Sequence, residues 1–348
     1  MFKKDGPAPS WDFGAIEKEA MNVNPKHRLS VGLGDWGLKL FSTKKGYIKD
    51  FNVFLMQKIM VSSPKNDSKK SIEIYMIDAK DNSEAFRYKN LVPGHRFGSN
   101  MSRHADTWVL VTLWFRVFMY RDKNTVKIAA FIKESKLDRV KFKEYLQVLI
   151  HKVFFLFDIL IVHSASVRFH GKTYTFIGER GAGKSTICLK LAKQGAAIIS
   201  EDHTLIRRRG NKFFAAGFED LSRVAQKSEK HIFKRPINYK TRRIGGFFKK
   251  EFPLKNFFNC EFYREFPVGL LFFIHCGNNL HLRPISRQEA VVKLMRMTNP
   301  LFRINRPEDY DAYINYFYTL VRNVKVFDLQ RTQNIEELDL MEDLIRKC

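Results

Sequence analysis

Eight consecutive residues, Gly178, Glu179, Arg180, Gly181, Ala182, Gly183, Lys184 and Ser185, satisfy the pattern G-x-x-x-x-G-K-[ST] in full. Each residue type has a chemical reason. Glycines let the backbone take positive φ and approach a polyphosphate closely, so that successive N–H groups converge as an anion nest. A helix starting at the end of such a loop adds the partial positive charge of its N-terminus. Lys184 then reaches the β- and γ-phosphates, and Ser185 offers its hydroxyl oxygen to Mg²⁺. The sequence thus predicts binding of ATP or a similar nucleoside triphosphate with Mg²⁺ at residues 178–185 and the adjoining Thr186.

Two carboxylates, Glu201 and Asp202, follow Lys184 by seventeen and eighteen residues at the end of an apolar run. One carboxylate in that place can hold Mg²⁺, and a second can accept a proton from an attacking hydroxyl. Neighbours in a regular strand point to opposite faces, so the pair serves one site only where the strand ends or bulges. His163 lies fifteen residues before Gly178, on the strand expected beside the one that feeds the loop. An imidazole there can orient a carboxylate or assist proton transfer near neutral pH.

These residues need elements to carry them. Leu160 to Phe169 reads as a strand, His170-Gly171-Lys172 as a turn, and Thr173 to Ile177 as a strand entering the glycine loop. A helix to about Lys193, a stop at Gly195 and a strand from Ala196 to Ser200 follow. Farther on, Val268 to His275 and Asn279 to Arg283 read as strands. Ser286 and Glu289 match the S-x-x-E capping box that opens a helix. Residues 308–322 are helical in pattern, Val324 to Leu329 strand-like, and 335–346 helical again. Upstream, Phe142, Leu146, Leu149, Ile150, Val153 and Phe157 share one helical face. Strand signals fill about 30–132, including the alternation of Ile72, Ile74 and Met76 and the runs Trp108 to Tyr120 and Thr125 to Ile132, with a hairpin turn at residues 121–124. The expected organisation is a loose arm over 1–28, a β-rich module over 29–136 and an α/β catalytic domain over 137–348.

Over 348 residues the hydrophobic and charged fractions, 45% and 28%, are those of a folded chain, but the net charge is +25. Such a balance attracts anionic partners, although Lys- and Phe-rich usage also follows from an AT-rich genome. The four cysteines form no C-x-x-C pair, which points away from a zinc site and toward a reducing compartment. No apolar run follows the N-terminal lysines, and His151, Lys152 and Asp158 interrupt the most hydrophobic stretch, so a cytoplasmic protein with no transmembrane segment is expected.

The run His163-Ser164-Ala165-Ser166-Val167, the glycine loop, Gly195 and the Glu201-Asp202 pair together resemble the C-terminal catalytic domain of HPr kinase/phosphorylase and related kinases. The resemblance spans roughly 137–346 and is most specific between 160 and 203. It implies a phosphoenolpyruvate-carboxykinase-like fold with its phosphate loop on a mixed sheet. It also implies Lys184 on the phosphates, Ser185 and Asp202 on Mg²⁺, Glu201 as base toward a substrate hydroxyl, and His163 as its supporting group. Two departures stand out: Glu201 replaces an aspartate, and the arginine-glycine signature of the phosphorylase reaction is not recognisable, Arg243-Ile244-Gly245-Gly246 being at best a faint echo of it.

Between Arg207 and Lys250 stand fourteen Lys or Arg against three acids, with Phe213, Phe214, Phe233, Tyr239, Phe247 and Phe248 interleaved. Such a segment can dock an acidic peptide or stack on nucleic-acid bases. Three functions therefore remain open at this stage: a kinase of a Ser or Thr hydroxyl in a peptide or protein, a nucleic-acid-binding NTPase, and a kinase of a small hydroxyl compound such as free serine or a sugar. Assembly of identical chains is compatible with all three.

Overall fold

A computed structural model describes residues 18–19, 26–33, 36–47, 70–79, 100–104, 107–111, 115–122, 125–133, 142, 149–151, 154–155, 158–217, 221–233, 236–244, 247–262, 264–298, 307–332, 334, 340, 343–345 and 348. The predicted helix at 142–157 and the final helix at 335–346 lie largely outside these residues, as do most of the arm and half of the 121–124 turn. The chain divides into two compact units, one formed mainly by the chain up to Val148 and the other mainly from Leu149 onward. The architecture is mixed α/β, with a mixed sheet in each unit.

Among the described residues the first unit holds seven strands: β1 (His27–Leu33), β2 (Trp36–Ser42), β3 (Lys70–Asp78), β4 (Asn100–His104), β5 (Thr107–Val111), β6 (Phe115–Asp122) and β7 (Thr125–Ile132). They are ordered β1-β2-β3-β7-β6-β5-β4. The period-2 alternation becomes rows across the parallel centre: Leu38, Ile72 and Val126 are in register, and so are Leu40, Ile74 and Ile128. All six are buried, so slipping any strand by one residue would turn its apolar set to water.

In the second unit the central strand is β8 (Ile159–Phe169), buried at nine of eleven positions with only His163 and Arg168 partly exposed. Along one edge it pairs antiparallel with β9 (Lys172–Gly178). The turn between them uses His170 at φ 47° and Gly171 at φ 75°, the two consecutive positive values that match the twist of a two-residue hairpin. Along the other edge run β10 (Ala197–Ser200) and then β11 (His203–Arg209), both antiparallel to β8. Beyond β9 the order continues to β17 (Leu270–Cys276), β19 (Lys325–Arg331) and β18 (His281–Pro284), with β9, β17 and β19 parallel. At the far edge β11 pairs β12 (Lys212–Ala216), which pairs β16 (Phe266–Pro267). A second, antiparallel sheet orders β13 (Leu221–Ala225), β15 (Phe247–Pro253) and β14 (Thr241–Ile244).

Among the described residues four helices are delimited in this unit: α1 (Lys184–Lys193), α2 (Gln226–Ile232), α3 (Arg287–Thr298) and α4 (Pro307–Asn323). The α1 helix covers one sheet face, where Ala165, Val167, Phe176, Leu191, Phe272 and Ile274 form a buried core with Val224 and Phe252 of the small sheet. On α4, Tyr316 donates its hydroxyl to the Ile206 carbonyl at 2.7 Å. The capping box at α3 is half realised. Ser286 Oγ accepts from the Glu289 N–H at 3.1 Å, but the Glu289 carboxylate is gripped by both terminal nitrogens of Arg283, at 2.6 and 3.0 Å. No helix among the described residues is long and apolar enough to cross a membrane.

Candidate functional site

Sheet topology brings the reactive residues together. Because β9 and β17 are parallel, Gly178 pairs with Ile274, which in turn pairs with Leu329 of β19, so three strands finish at the same end. The antiparallel β8 passes His163 there, one residue before Ser164 pairs with Ile177. The antiparallel β11 begins there with His203 directly opposite His163. This is the sheet end at which open α/β folds place ligands.

The glycine loop turns sharply rather than running extended. The Ala182 N–H donates to the Glu179 carbonyl at 3.2 Å, and Gly181 and Gly183 take φ of 87° and 99°. Glycine is required at both values. A Cβ on Gly178 would collide with the Ile274 carbonyl, and one on Gly183 would overlap the Arg331 guanidinium. Arg331, two residues past Leu329, donates to the Ala182 carbonyl at 2.6 Å and the Gly181 carbonyl at 3.2 Å, pinning the loop from its carbonyl side. Gly183 is the N-cap of α1, and no side chain among the described residues caps that end. The first-turn amides are thereby left to a ligand or water. Ser185 and Thr186 are half-buried in that turn.

Lys184 is buried, its ammonium donating to the carbonyls of Gly178 at 2.7 Å and Glu179 at 3.0 Å. Loss of solvent lowers its pKa from 10.5 to about 8, against the attraction of Asp202 and Glu201. The acidic pair and the loop lysine therefore share one electrostatic site.

Glu201 and Asp202 occupy a bend between β10 and β11, not a free strand end. The ladder along β8 shifts register between Ile198 and Ser200, and the Ser164 N–H still donates to the Asp202 carbonyl at 3.1 Å. Glu201 is buried and Asp202 half-exposed. His163 Nδ1 stands 3.0 Å from Asp202 Oδ1 and 2.9 Å from its carbonyl oxygen, so this imidazole is engaged with the neighbour of the carboxylate it was expected to support. His203 Nδ1 lies 3.3 Å from Asp202 Oδ2. Burial alone would raise the Asp202 carboxyl, but the hydrogen bonds from His163 and His203 outweigh it and hold the group well below the usual carboxylate range. One ligand atom from each of His163, Asp202 and His203 falls within 4.8 Å of the others, close enough to hold a cation together.

Beneath the bend lies a buried hydroxyl cluster on the opposite sheet face. Thr204 Oγ1 is 2.6 Å from Ser200 Oγ, 2.7 Å from Ser164 Oγ and 2.9 Å from Ser166 Oγ, and Ser166 also donates to Thr175 at 3.0 Å. These side chains tie the residue before Glu201 to β8, β9 and β11.

His203, Thr204 and Arg331 are the residues sequence reasoning missed. A signal existed for His203, which adjoins the acidic pair, but its match to His163 emerges only from strand register. The side chains of the basic segment divide between the interior and the surface. Phe213 is buried, Phe233 and Tyr239 pack on the core, Arg209 lies over the Phe214 ring, and Phe248 is exposed. Glu229, one of its three acids, is buried and binds Lys250 at 2.8 Å.

No family model matches this sequence, and no curated protein matches it. Among solved structures, the Hpr(Ser) kinase/phosphatase from Coxiella burnetii is similar over 54% of this chain and 94% of that chain, at 12% identity and a TM-score of 0.29. The functional reading rests on the side chains themselves.

Proposed function

We propose that the chain is an ATP- and Mg²⁺-dependent kinase that transfers the γ-phosphoryl group to a hydroxyl, on a Ser or Thr of a peptide or protein, in a phosphoenolpyruvate-carboxykinase-like fold related to HPr kinase. The observation that carries the reading is the shared electrostatic site of Lys184, Glu201 and Asp202, placed at the end of the sheet beside the left-handed glycines of the loop.

Catalysis of this kind is placement and charge neutralisation. The loop glycines and the uncapped start of α1 fit a polyphosphate, because Gly181 and Gly183 hold positive φ and no side chain among the described residues occupies the first-turn amides. Lys184 lies where its ammonium can exchange two backbone carbonyls for phosphate oxygens. Ser185 and Asp202 are the residues to hold Mg²⁺, which when bound supplies positive charge to the phosphate oxygens. Glu201 takes the acceptor proton as the new oxygen–phosphorus bond forms and the bond from the γ-phosphorus to the β–γ bridging oxygen breaks, releasing ADP. His163 and His203 keep Asp202 ionised and oriented. The two imidazoles add nitrogen donors beside this carboxylate, so a softer divalent ion can compete with Mg²⁺ there.

The test is incubation of the full chain with γ-labelled ATP, Mg²⁺ and hydroxyl-bearing peptides. Label should pass to an acceptor, and Lys184→Ala should lower turnover by about a hundredfold or more. Release of free phosphate alone under every acceptor condition would refute the reading.

A further inference from the structure

We propose that Lys249 and Arg223 form an anion subsite for an acceptor that carries a carboxylate or phosphate beside its reactive hydroxyl, an assignment that rests on the kinase reading above. It begins with strand register in the small sheet. Arg223 pairs with Glu251 and Ala225 with Lys249, so Arg223, Lys249 and Glu251 project from one face of the β13–β15 ladder. Ser222, Val224, Lys250 and Phe252 project from the other, where Ser222, Val224 and Phe252 are buried.

The two adjacent lysines consequently meet different environments. Lys250 is neutralised, its ammonium 2.8 Å from both Glu229 Oε1 and the Ile237 carbonyl, while the Ile237 N–H donates to the same carboxylate at 2.7 Å. Lys249 is half-buried and has no hydrogen-bond or ion-pair partner among the described residues. A partly desolvated ammonium with no partner is costly, and an incoming anion recovers that cost.

What surrounds Lys249 says which anion. Desolvation lowers its pKa, Glu201 and Asp202 oppose that shift, and Arg180 and Arg223 add to it. Arg223 gives its Nε to Glu251 at 2.9 Å and also feels both Glu201 and Asp202. These cations thus lie within electrostatic range of the carboxylate assigned to the acceptor proton, on an element separate from the glycine loop. The loop amides and Lys184 already serve the triphosphate. A second group of positive charge beside Glu201 matches an acid on the acceptor, as in an acidic peptide around a serine or in a small hydroxy acid.

The experiment is calorimetric titration of inorganic phosphate into the full chain saturated with Mg²⁺ and a non-hydrolysable ATP analogue, with the analogue's own affinity measured for each variant. Wild type should bind phosphate, Lys249→Gln should weaken that binding by about tenfold or more, and Lys249→Arg should stay within about threefold of wild type. Analogue affinity should be unchanged throughout. The proposal is overturned if the wild type takes no phosphate, if Lys249→Gln loses the analogue instead, or if the Gln and Arg variants fail alike. If the analogue does not bind at all while phosphate binding still depends on Lys249, the kinase reading fails and the anion subsite stands.

Discussion

Lys184 gives the structure a measurable pH signature. Its folded pKa of about 8 lies below the ordinary 10.5, so between those values the unfolded chain binds more protons than the folded one, and stability rises with pH. The penalty for burying the charge is fully present below pH 8 and vanishes above about pH 10.5. At 1.36 kcal/mol per unit the whole penalty is about 3 kcal/mol, of which about 2 kcal/mol is relieved between roughly pH 7.5 and 9.5. Other lysines titrate in the same range, so the comparison must be with Lys184→Met, which keeps the volume and removes the ammonium. Urea denaturation at the two pH values should show wild type gaining about 2 kcal/mol relative to the variant. A difference between the two proteins that does not change with pH would refute the assigned burial of the charge, and with it the arrangement of the loop. Under the kinase reading, a triphosphate re-ionises this group, so nucleotide binding above pH 8 should take up protons from buffer.

Three further perturbations follow from contacts described above. Thr204→Val conserves shape but leaves Ser164 and Ser200 without their shared partner inside the protein, and should cost about 2 kcal/mol in chemical denaturation. Glu229→Gln removes the buried counter-charge of Lys250 and should destabilise by about 3 kcal/mol, visible as a fall in Tm. Gly183→Ala places a Cβ at φ 99° against Arg331 and should cost about 1–2 kcal/mol and, under the kinase reading, abolish binding of a fluorescent ATP analogue. An unchanged midpoint in any of the three would contradict the contact on which it rests.

The sequence revealed best what depends on local chemistry. The glycine loop, the strand before it and the helix after it are written in adjacent residues, and the structure has β9 ending at Gly178 and α1 starting at Lys184. Gly195 stands at φ 98° just past α1, the left-handed conformation that ends helices. Ser286 was readable for the same reason. Glu289 was not, because its carboxylate chooses between a backbone amide nearby and a guanidinium on the preceding strand, and the ion pair with Arg283 prevails. What depends on register stayed hidden. The meeting of His163 and His203 follows from a ladder whose offset is set by the irregularity between Ile198 and Ser200. The aromatic residues of the basic segment divide between inside and outside, because composition does not say which side of a strand is wet. Phe213 is inside and Phe248 outside, and Lys249 and Lys250 lie on opposite faces.

The bond from Arg331 to the Ala182 carbonyl joins residues 149 positions apart. At ribosomal speeds the segment between them takes roughly 7 to 30 s to make, so the nascent glycine loop waits that long for the side chain that braces it. During this interval β8, β9 and α1 can assemble from neighbouring segments, but β19 and its guanidinium have not yet emerged. The glycine loop is therefore braced only once Arg331 has emerged, and a polypeptide stalled before it would hold the motif without that contact.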